Sequence, residues 1–379
     1  MRILWHELKK IITWKMLLLL FIVNFILYFL LIEFDIEYFP NGRPALDSYR
    51  IGIEMIENYG THMDELEFVD FKRTYETQVK ELNQFLQSRN DFVEEGIDTY
   101  EKFQNIDHEN DQLYALHSKL FFEESVDTVW ELQERERLME FYERKEEGLK
   151  IDLRDAKVWQ KDRFLEMREE GLYGVYPEVV IRNFKTFILS VAITIMISVV
   201  LFVSPIFLKD RMKQLLYLQY TSKIGRNLYK SKVLAGLIST LLLITTLLVI
   251  YLSFYTLNDT SMYFDVPIHM FIGESNWYDP TFFQFIVINI VAIYALGFIV
   301  ALLAMVFSSI VPNYIVLIGA QIPIIAGTIG YGLLYLITLI ISIWIPQWVV
   351  PTTYSFMLLI GIGLLVYMWK REKQRNILE

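Results

Sequence analysis

The chain contains no cysteine, which excludes disulfide bonds and metal sites with thiolate ligands. It also lacks the Gly-x-x-x-x-Gly-Lys-Ser/Thr loop that cradles nucleotide phosphates. No serine, histidine and aspartate set and no paired carboxylates stand out, and His62, His108 and His117 are too dispersed in the sequence to indicate a zinc site. We therefore expect no catalytic centre, no metal and no cofactor in this chain.

Six long segments contain no Asp, Glu, Lys or Arg. A hydrocarbon core of about 30 Å needs about 20 helical residues to cross it, and a single segment can satisfy its own backbone polar groups there only as a helix. The segments predict an all-α integral membrane protein with six transmembrane helices. The predicted spans are residues 16–32, 186–208, 233–257, 282–307, 314–343 and 349–369.

The first and the fifth of these spans have features that the others lack. The first is followed by Glu33-Phe34-Asp35 without a small-residue cleavage pattern, so we expect a retained helix rather than a signal peptide. The fifth, 314–343, is longer than one upright span requires.

Basic residues predict which side of the membrane each connection occupies. Residues 1–15 carry four bases against one acid, residues 209–232 carry seven against one, and the tail 370–379 carries four against two. Connections rich in Lys and Arg stay in the cytoplasm. Both termini and residues 209–232 are therefore predicted to be cytoplasmic.

The remaining connections are acidic. Residues 33–185 carry 37 acids and 20 bases, and residues 258–281 carry four acids and no Lys or Arg. Both are predicted to be extracellular, the first as a large domain between helices 1 and 2 and the second as a loop. Apolar residues from Phe68 to Leu86, and again from Leu113 to Tyr142, recur at steps of three and four, which is typical of amphipathic helices. We expect them to pack as an antiparallel hairpin.

Residues 209–232 have an order that a basic connection alone does not require. A charged start is followed by a short apolar helix around Leu215–Leu218 and by a second basic turn. In this order the chain resembles permeases of the type-2 ATP-binding-cassette (ABC) exporter family. The matching positions are Asp210-Arg211, Leu215-Leu216, Thr221, Ile224, Arg226 and Lys232, and the chain departs from the family pattern at Gln214, Lys223 and Gly225.

The resemblance implies that this connection docks in a separate cytosolic ABC ATPase, which would bind ATP and Mg²⁺. The expected ATPase-coupling residues are Tyr217, Leu218, Tyr220, Thr221, Ile224 and Arg226. Residues 1–15 would form an amphipathic interfacial helix near that partner. A second permease, identical or paralogous, would complete a dimer in the bilayer. The fifth predicted span, 314–343, would have a re-entrant end.

The expected function is that of the permease subunit of an exporter in a bacterial plasma membrane, without a nucleic-acid partner. Its substrate would be a compound such as an antimicrobial peptide, drug or lipid, and Asn24, Asn289 and Gln321 are candidates for the substrate path. The alternative is a membrane-anchored sensor or assembly protein whose outer domain binds a peptide or envelope partner. Permeases that transmit force through a large outer domain usually have four spans, so six spans disfavour that third class.

Overall fold

The computed structural model describes residues 2–124, 126–214 and 228–374. These residues are predominantly helical and contain two isolated β-bridges but no β-strand, which confirms the all-α prediction. The α-helices are, in chain order, α1 (Arg2–Ile11), α2 (Trp14–Leu27), α3 (Glu33–Glu37), α4 (Ala45–Tyr59), α5 (Glu65–Gln87), α6 (Asn90–Glu94), α7 (Tyr100–Gln104), α8 (Asp111–Ser118), α9 (Asp127–Glu143), α10 (Lys145–Asp155), α11 (Lys161–Glu170), α12 (Val179–Val203), α13 (Pro205–Met212), α14 (Leu228–Tyr255), α15 (Phe282–Ile310), α16 (Tyr314–Gly327) and α17 (Val349–Gln374).

The chain divides into two compact units. The apolar unit comprises Met1–Tyr38, Asn183–Asp259 and Gln284–Glu379, and the polar unit comprises a first segment, Phe39–Arg182, and a second segment, Thr260–Phe283. The charge pattern predicts residues 258–281 as a loop separate from the outer domain. In the structure most of that loop belongs to the same compact unit as the domain.

Five helical stretches are long and apolar enough to cross a membrane. They coincide with five of the six predicted spans. Each helix continues past at least one end of its predicted span into flanking residues. Their bounds are Trp14–Glu37, Val179–Met212, Leu228–Asn258, Phe282–Ile310 and Val349–Gln374. The chain is therefore a membrane protein by the length and composition of its helices.

The fifth predicted span, residues 314–343, has a different structure. Regular α-helix extends over the 14 residues of α16, which is a rise of about 21 Å and less than the hydrocarbon thickness. The chain continues in wide π-helical turns over Thr328–Gly332 and Leu334–Thr338. Such turns are rare and frequently mark functional positions.

Within the apolar unit, the five stretches differ in burial. The most apolar part of Val179–Met212 is 72% buried and that of Phe282–Ile310 is 61% buried, against 11% for the stretches that contain α2 and α17. Glycines allow α14 to approach α15 closely, since a Cβ at Gly236 would lie 2.6 Å from Met305 Sδ and one at Gly297 would overlap Ile244. Helices α12 and α15 therefore form the centre of the unit.

The polar unit has a helical core of its own. Helix α5 begins with a capping box in which Asp64 and Glu67 bond each other's backbone N–H groups, and it packs against α9. The predicted stripe from Phe68 to Leu86 faces the interior of this unit. The second predicted pattern falls on α8, a π-helical turn at Lys119–Glu123, and α9. Gly148 lies inside α10.

The second segment of the polar unit is bonded to the first. The N–H groups of Val175 and Tyr176 both donate to Met270 O at 2.8 Å, and Ile272 N–H donates to Tyr176 O at 2.9 Å. The backbones approach so closely that a Cβ at Gly174 would lie 2.8 Å from Phe271 O. Glycine is therefore required at position 174.

An ion pair adds to this connection. Arg163 of α11 is buried, donates from Nε to Asn276 O at 3.0 Å and pairs with Asp279. His269 Nδ1 lies 3.0 Å from the other carboxylate oxygen of Asp279. Burial opposes ionisation of Asp279, but the hydrogen bonds and charges of His269 and Arg163 outweigh it and lower the pKa of this carboxyl.

Candidate functional site

A buried ionic cluster lies where the apolar unit leads into residues 215–227. Asp210, near the end of α13, and Lys232, near the start of α14, are each 2% exposed, and Oδ2 of Asp210 lies 2.6 Å from Nζ of Lys232. Lys10 of α1 contacts Asp210 at 3.3 Å and Glu7 at 2.7 Å. These four residues, Glu7, Lys10, Asp210 and Lys232, are called the ionic cluster below. The Asp210–Lys232 pair thus joins the helices on either side of residues 215–227.

Helix α1 reaches the cluster because it is amphipathic. Ile11 is buried, whereas Trp5 is exposed and lies under Nζ of Lys9, and the helix packs along α14. Lys9 and Lys10 occupy its last turn, where cations interact favourably with the helix dipole. Burial acts against the ammonium of Lys10, but Glu7 and Asp210 outweigh it and raise the pKa of Lys10.

Helix α13 is fixed to the end of α15 by polar contacts. Ser204 separates α12 from α13, and Pro205 begins the new helix, so the first N–H groups of α13 have no partner within it. Those of Phe207 and Leu208 donate to Ser308 Oγ at 3.2 Å. Arg211 donates to Val311 O at 2.6 Å and also to Ser309 O. These contacts hold α13, which directly precedes residues 215–227, against the end of α15.

The predicted coupling residues lie outside the described residues. They are Tyr217, Leu218, Tyr220, Thr221, Ile224 and Arg226. Three other positions of the family pattern, Asp210, Arg211 and Lys232, are described. All three make the contacts that hold the base of this segment.

Of the predicted path residues, Asn24 joins three helices. Its Nδ2 donates to Ser198 Oγ of α12 at 2.9 Å and to Leu20 O at 2.8 Å, and its Oδ1 accepts from the hydroxyl of Tyr251 in α14 at 2.9 Å. The sequence provided no signal that Ser198 and Tyr251 are its partners. This network stabilises the packing of α2 on α12 and α14.

Asn289 and Gln321 are not part of that network. Asn289 Nδ2 donates to Phe285 O in its own helix at 2.9 Å. The side chain of Gln321 bonds Ser204 at the break between α12 and α13. Gln321 also borders a small cavity with Thr328, in which about 20 Å³ is open to the centre of a water molecule, enough for about one water. The structure thus does not bring the three predicted path residues together.

The polar unit contains a much larger cleft. About 730 Å³ of it is open to the centre of a water molecule, and it lies between the end of α9, helix α10, the end of α11 and residues 271–275 of the second segment. This volume is within the range of about 300–1,000 Å³ that is typical of ligand pockets. Sequence periodicity did not indicate this cleft, because its walls come from both segments of the unit.

Metal ligation has no visible basis in the described parts of the chain. No group of three or more His, Asp or Glu side chains is arranged there to hold a metal ion. His108 and His117 lie apart in the sequence but contact each other, with ring centroids 5.3 Å apart. His117 also stacks on Phe103. Burial and the neighbouring His108 lower the pKa of His117.

The ionic cluster and the cleft are therefore the two features from which a function can be inferred. Comparisons of the chain with protein-family models, with curated proteins and with solved structures find no match.

Proposed function

We propose that the chain is the permease subunit of an ABC exporter, which moves a substrate outward with energy from ATP hydrolysed by a separate cytosolic ATPase. The observation that carries the proposal is the buried Asp210–Lys232 pair at the base of residues 215–227. A basic connection between two spans needs no such pair, because removing two charges from water costs several kcal/mol per ion. A segment that transmits the movement of a partner to the helices does need a fixed base.

Helix α1 supports the same function. Through Lys10 it shares Asp210 with Lys232, so a force on residues 215–227 would reach α1, α13 and α14 together. In the proposed complex, ATP and Mg²⁺ bind to the ATPase, and residues 215–227 dock in it. Helix α1 lies along the inner leaflet beside it.

The composition of the polar unit supports the proposed topology. A compact soluble unit stays on one side of a bilayer, so the chain between its two segments crosses an even number of times. That chain carries two of the long apolar stretches, Val179–Met212 and Leu228–Asn258, which fits two crossings. We place the polar unit outside and residues 209–232 inside from their charges. Helix α16 with its π-helical extension is the proposed fifth span in chain order. It brings the number of crossings to six, which places the C-terminus in the cytoplasm.

The proposed transport unit is a dimer of permeases in the plasma membrane. The stretches that contain α2 and α17 are largely exposed. Their apolar surfaces suit lipid and a second copy of this chain or a paralogue. Three aromatic rings, Phe21, Phe25 and Phe29, follow one side of the first stretch, with Phe21 stacked on Phe25 and Phe29 edge-on to Phe25.

Recruitment of the ATPase tests the proposal. Truncating an aromatic anchor at an interface centre often costs about 2 kcal/mol or more, which weakens binding about thirtyfold. The double variant Tyr217→Ala/Leu218→Ala should therefore copurify much less of a protein with Walker motifs, and hydrolysis in the complex should no longer respond to substrate. Lys213→Ala, which removes one charge from the same connection, is the control and should have little effect. Full recruitment and coupling by the double variant would contradict the proposal.

The cleft favours a second candidate function. A membrane-anchored sensor or assembly protein would bind a peptide or envelope partner in the polar unit without transport. The two candidates differ in one measurement. An exporter subunit copurifies with an ATPase through residues 215–227, whereas a sensor binds its ligand equally well with that segment mutated and no ATPase present.

A further inference from the structure

The cleft of the polar unit has an apolar floor. Leu149, Met167 and Phe271, which line it, are each at most 6% exposed. Phe141 and Tyr173 also border it. Because the floor itself is buried, a ligand that fills the cleft meets apolar surface mainly at Phe141, which is 44% exposed, and at the half-buried Tyr173.

The basic residues of the cleft are already neutralised. Arg144 pairs with Glu140 at 2.6 Å. Lys145 pairs with Glu65 at 2.9 Å, and its Nζ lies 3.4 Å from the centre of the Tyr142 ring. Each cation of the cleft therefore has an acidic neighbour, so neither gives the cleft a net positive charge.

Two carboxylates of the cleft have no such partner. Within the described ranges, no basic side chain forms an ion pair with Glu147 or Asp152, both of which line the cleft from α10. Burial and the nearby Asp155 raise the pKa of Asp152, as expected of a carboxylate without a neighbouring cation. A third acid, Glu274, accepts a hydrogen bond from Asn276 at 3.4 Å on the opposite wall.

We propose that this cleft binds a short cationic peptide segment whose basic side chains meet Glu147 and Asp152 and whose apolar side chains cover Phe141 and Tyr173. The two carboxylates are five residues apart on α10, about 7.5 Å along the helix axis. Five residues also turn the helix by about 140°, so two alternate basic residues of an extended peptide, about 6.6 Å apart along the chain, reach both carboxylates by spreading their long side chains around α10. The inference rests on the proposed function only in taking this peptide to be the exported substrate.

Helix α10 also supplies a matched control. Glu146 and Asp155 lie on the same helix, one residue before Glu147 and three after Asp152, and they do not line the cleft. They pair with Lys150 and Arg154. The variants Glu147→Gln/Asp152→Asn and Glu146→Gln/Asp155→Asn thus change the net charge of one helix equally and differ in whether the cleft loses its carboxylates.

Binding can be measured by calorimetry on the full chain in phosphatidylcholine nanodiscs at low salt, without an ATPase. The probe is the peptide acetyl-Lys-Phe-Lys-Phe-amide, and acetyl-Glu-Phe-Glu-Phe-amide is its control. We expect saturable binding of the lysine peptide, about tenfold weaker binding to the Glu147→Gln/Asp152→Asn variant and less than twofold change in the Glu146→Gln/Asp155→Asn variant. Equal loss in both variants, equal binding of the glutamate peptide or no binding to the wild type would each overturn the proposal.

Gly148 allows the cleft to be filled without disturbing the fold. It lines the cleft inside α10, and a Cβ there would meet no atom within 4 Å, so Gly148→Trp should project into open space. Binding of the lysine peptide should fall at least twentyfold in Gly148→Trp and stay within twofold in Gly148→Ala, with both variants melting no lower than the wild type because glycine disfavours helix. Unchanged binding in a folded Gly148→Trp variant would place the peptide elsewhere. A negative result in either binding test would concern only the peptide site, because recruitment of the ATPase through Tyr217 and Leu218 is measured separately.

Discussion

The Asp210–Lys232 pair allows a quantitative test of the ionic cluster. At an effective dielectric constant of about 20, two unit charges 2.6 Å apart attract by about 6 kcal/mol, and much of this offsets the cost of burying them. Removing one member of a buried pair costs about 3–5 kcal/mol. Asp210→Leu should fall at the upper end, because it takes a carboxylate from both Lys10 and Lys232. Lys232→Met should fall at the lower end, because Lys10 still contacts Asp210.

The double variant Asp210→Leu/Lys232→Met should be more stable than either single variant. It replaces both charges by apolar residues of similar size, which is often neutral for stability, and Lys10 keeps its contact with Glu7 at 2.7 Å. The coupling energy between the two sites should be about 3 kcal/mol or more. The assay is reversible unfolding of the full chain in mixed micelles, followed by circular dichroism.

An exposed pair of the same charge types supplies the control. Lys72 and Glu143 lie 3.2 Å apart with both side chains about half exposed, and such pairs contribute at most about 1 kcal/mol. The cycle Lys72→Met/Glu143→Gln should therefore show little coupling. If the costs of Asp210→Leu and Lys232→Met simply add, the pair does not determine the packing of α13 on α14, and a fixed base for residues 215–227 would have to be abandoned.

Three further outcomes are expected. In intact cells an impermeant thiol reagent should label Ser88→Cys and not Ser222→Cys, and the reverse pattern would invert the proposed topology. Because His269 and Arg163 lower the pKa of Asp279, this carboxylate stabilises the polar unit above the unfolded pKa of about 4, and the contribution is lost as the pH falls through the lower folded pKa. Asp279→Asn should thus lower the melting temperature at pH 7, and the difference from wild type should shrink as the pH falls below about 4. Residues 40–178 expressed alone should be helical. They should melt at a lower temperature than the same residues joined by a flexible linker to the second segment, and equal melting temperatures would show that the second segment adds no stability.

Hydropathy was sufficient to find the five helical stretches that are long and apolar enough to cross a membrane, because this property of a helix depends on its local composition alone. It was insufficient for residues 314–343, which are as apolar as the others. There the backbone changes to π-helical turns after Gly327, and the register of backbone hydrogen bonds leaves no trace in a hydropathy profile. The glycines and Pro323 of this stretch were visible in the sequence, but they did not specify which irregular geometry would form.

The candidate site was predicted in part. The sequence indicated residues 209–232 from their order of charged and apolar positions, but it did not reveal the ionic cluster, because the order of charges along a chain does not show which of them pair in space. The available signal was Asp210, the single acid among seven bases. Its partners Lys10 and Lys232 lie 200 and 22 positions away in the sequence, and no local periodicity connects them.

The cleft could not be predicted for a similar reason. Its walls combine α10 with residues 271–275, and the contacts that hold them together, such as Arg163 to Asp279, span 116 positions. The acids of residues 258–281 have no basic partner nearby in the sequence. That imbalance indicated an outer location, and it did not reveal that one of those acids pairs with an arginine of the large domain.

The division of the polar unit into two segments also sets an order of events during synthesis. After Arg182 is made, about 100 more residues must be translated before Phe283 completes the unit, which takes roughly 5–20 s at about 5–20 residues per second. During that interval the backbone groups at Val175 and Tyr176 lack their partner at Met270, and Arg163 lacks Asp279. The nascent unit is then open to chaperones and proteases on its side of the membrane, and a ribosome that stalls within α14 would leave it permanently unfinished.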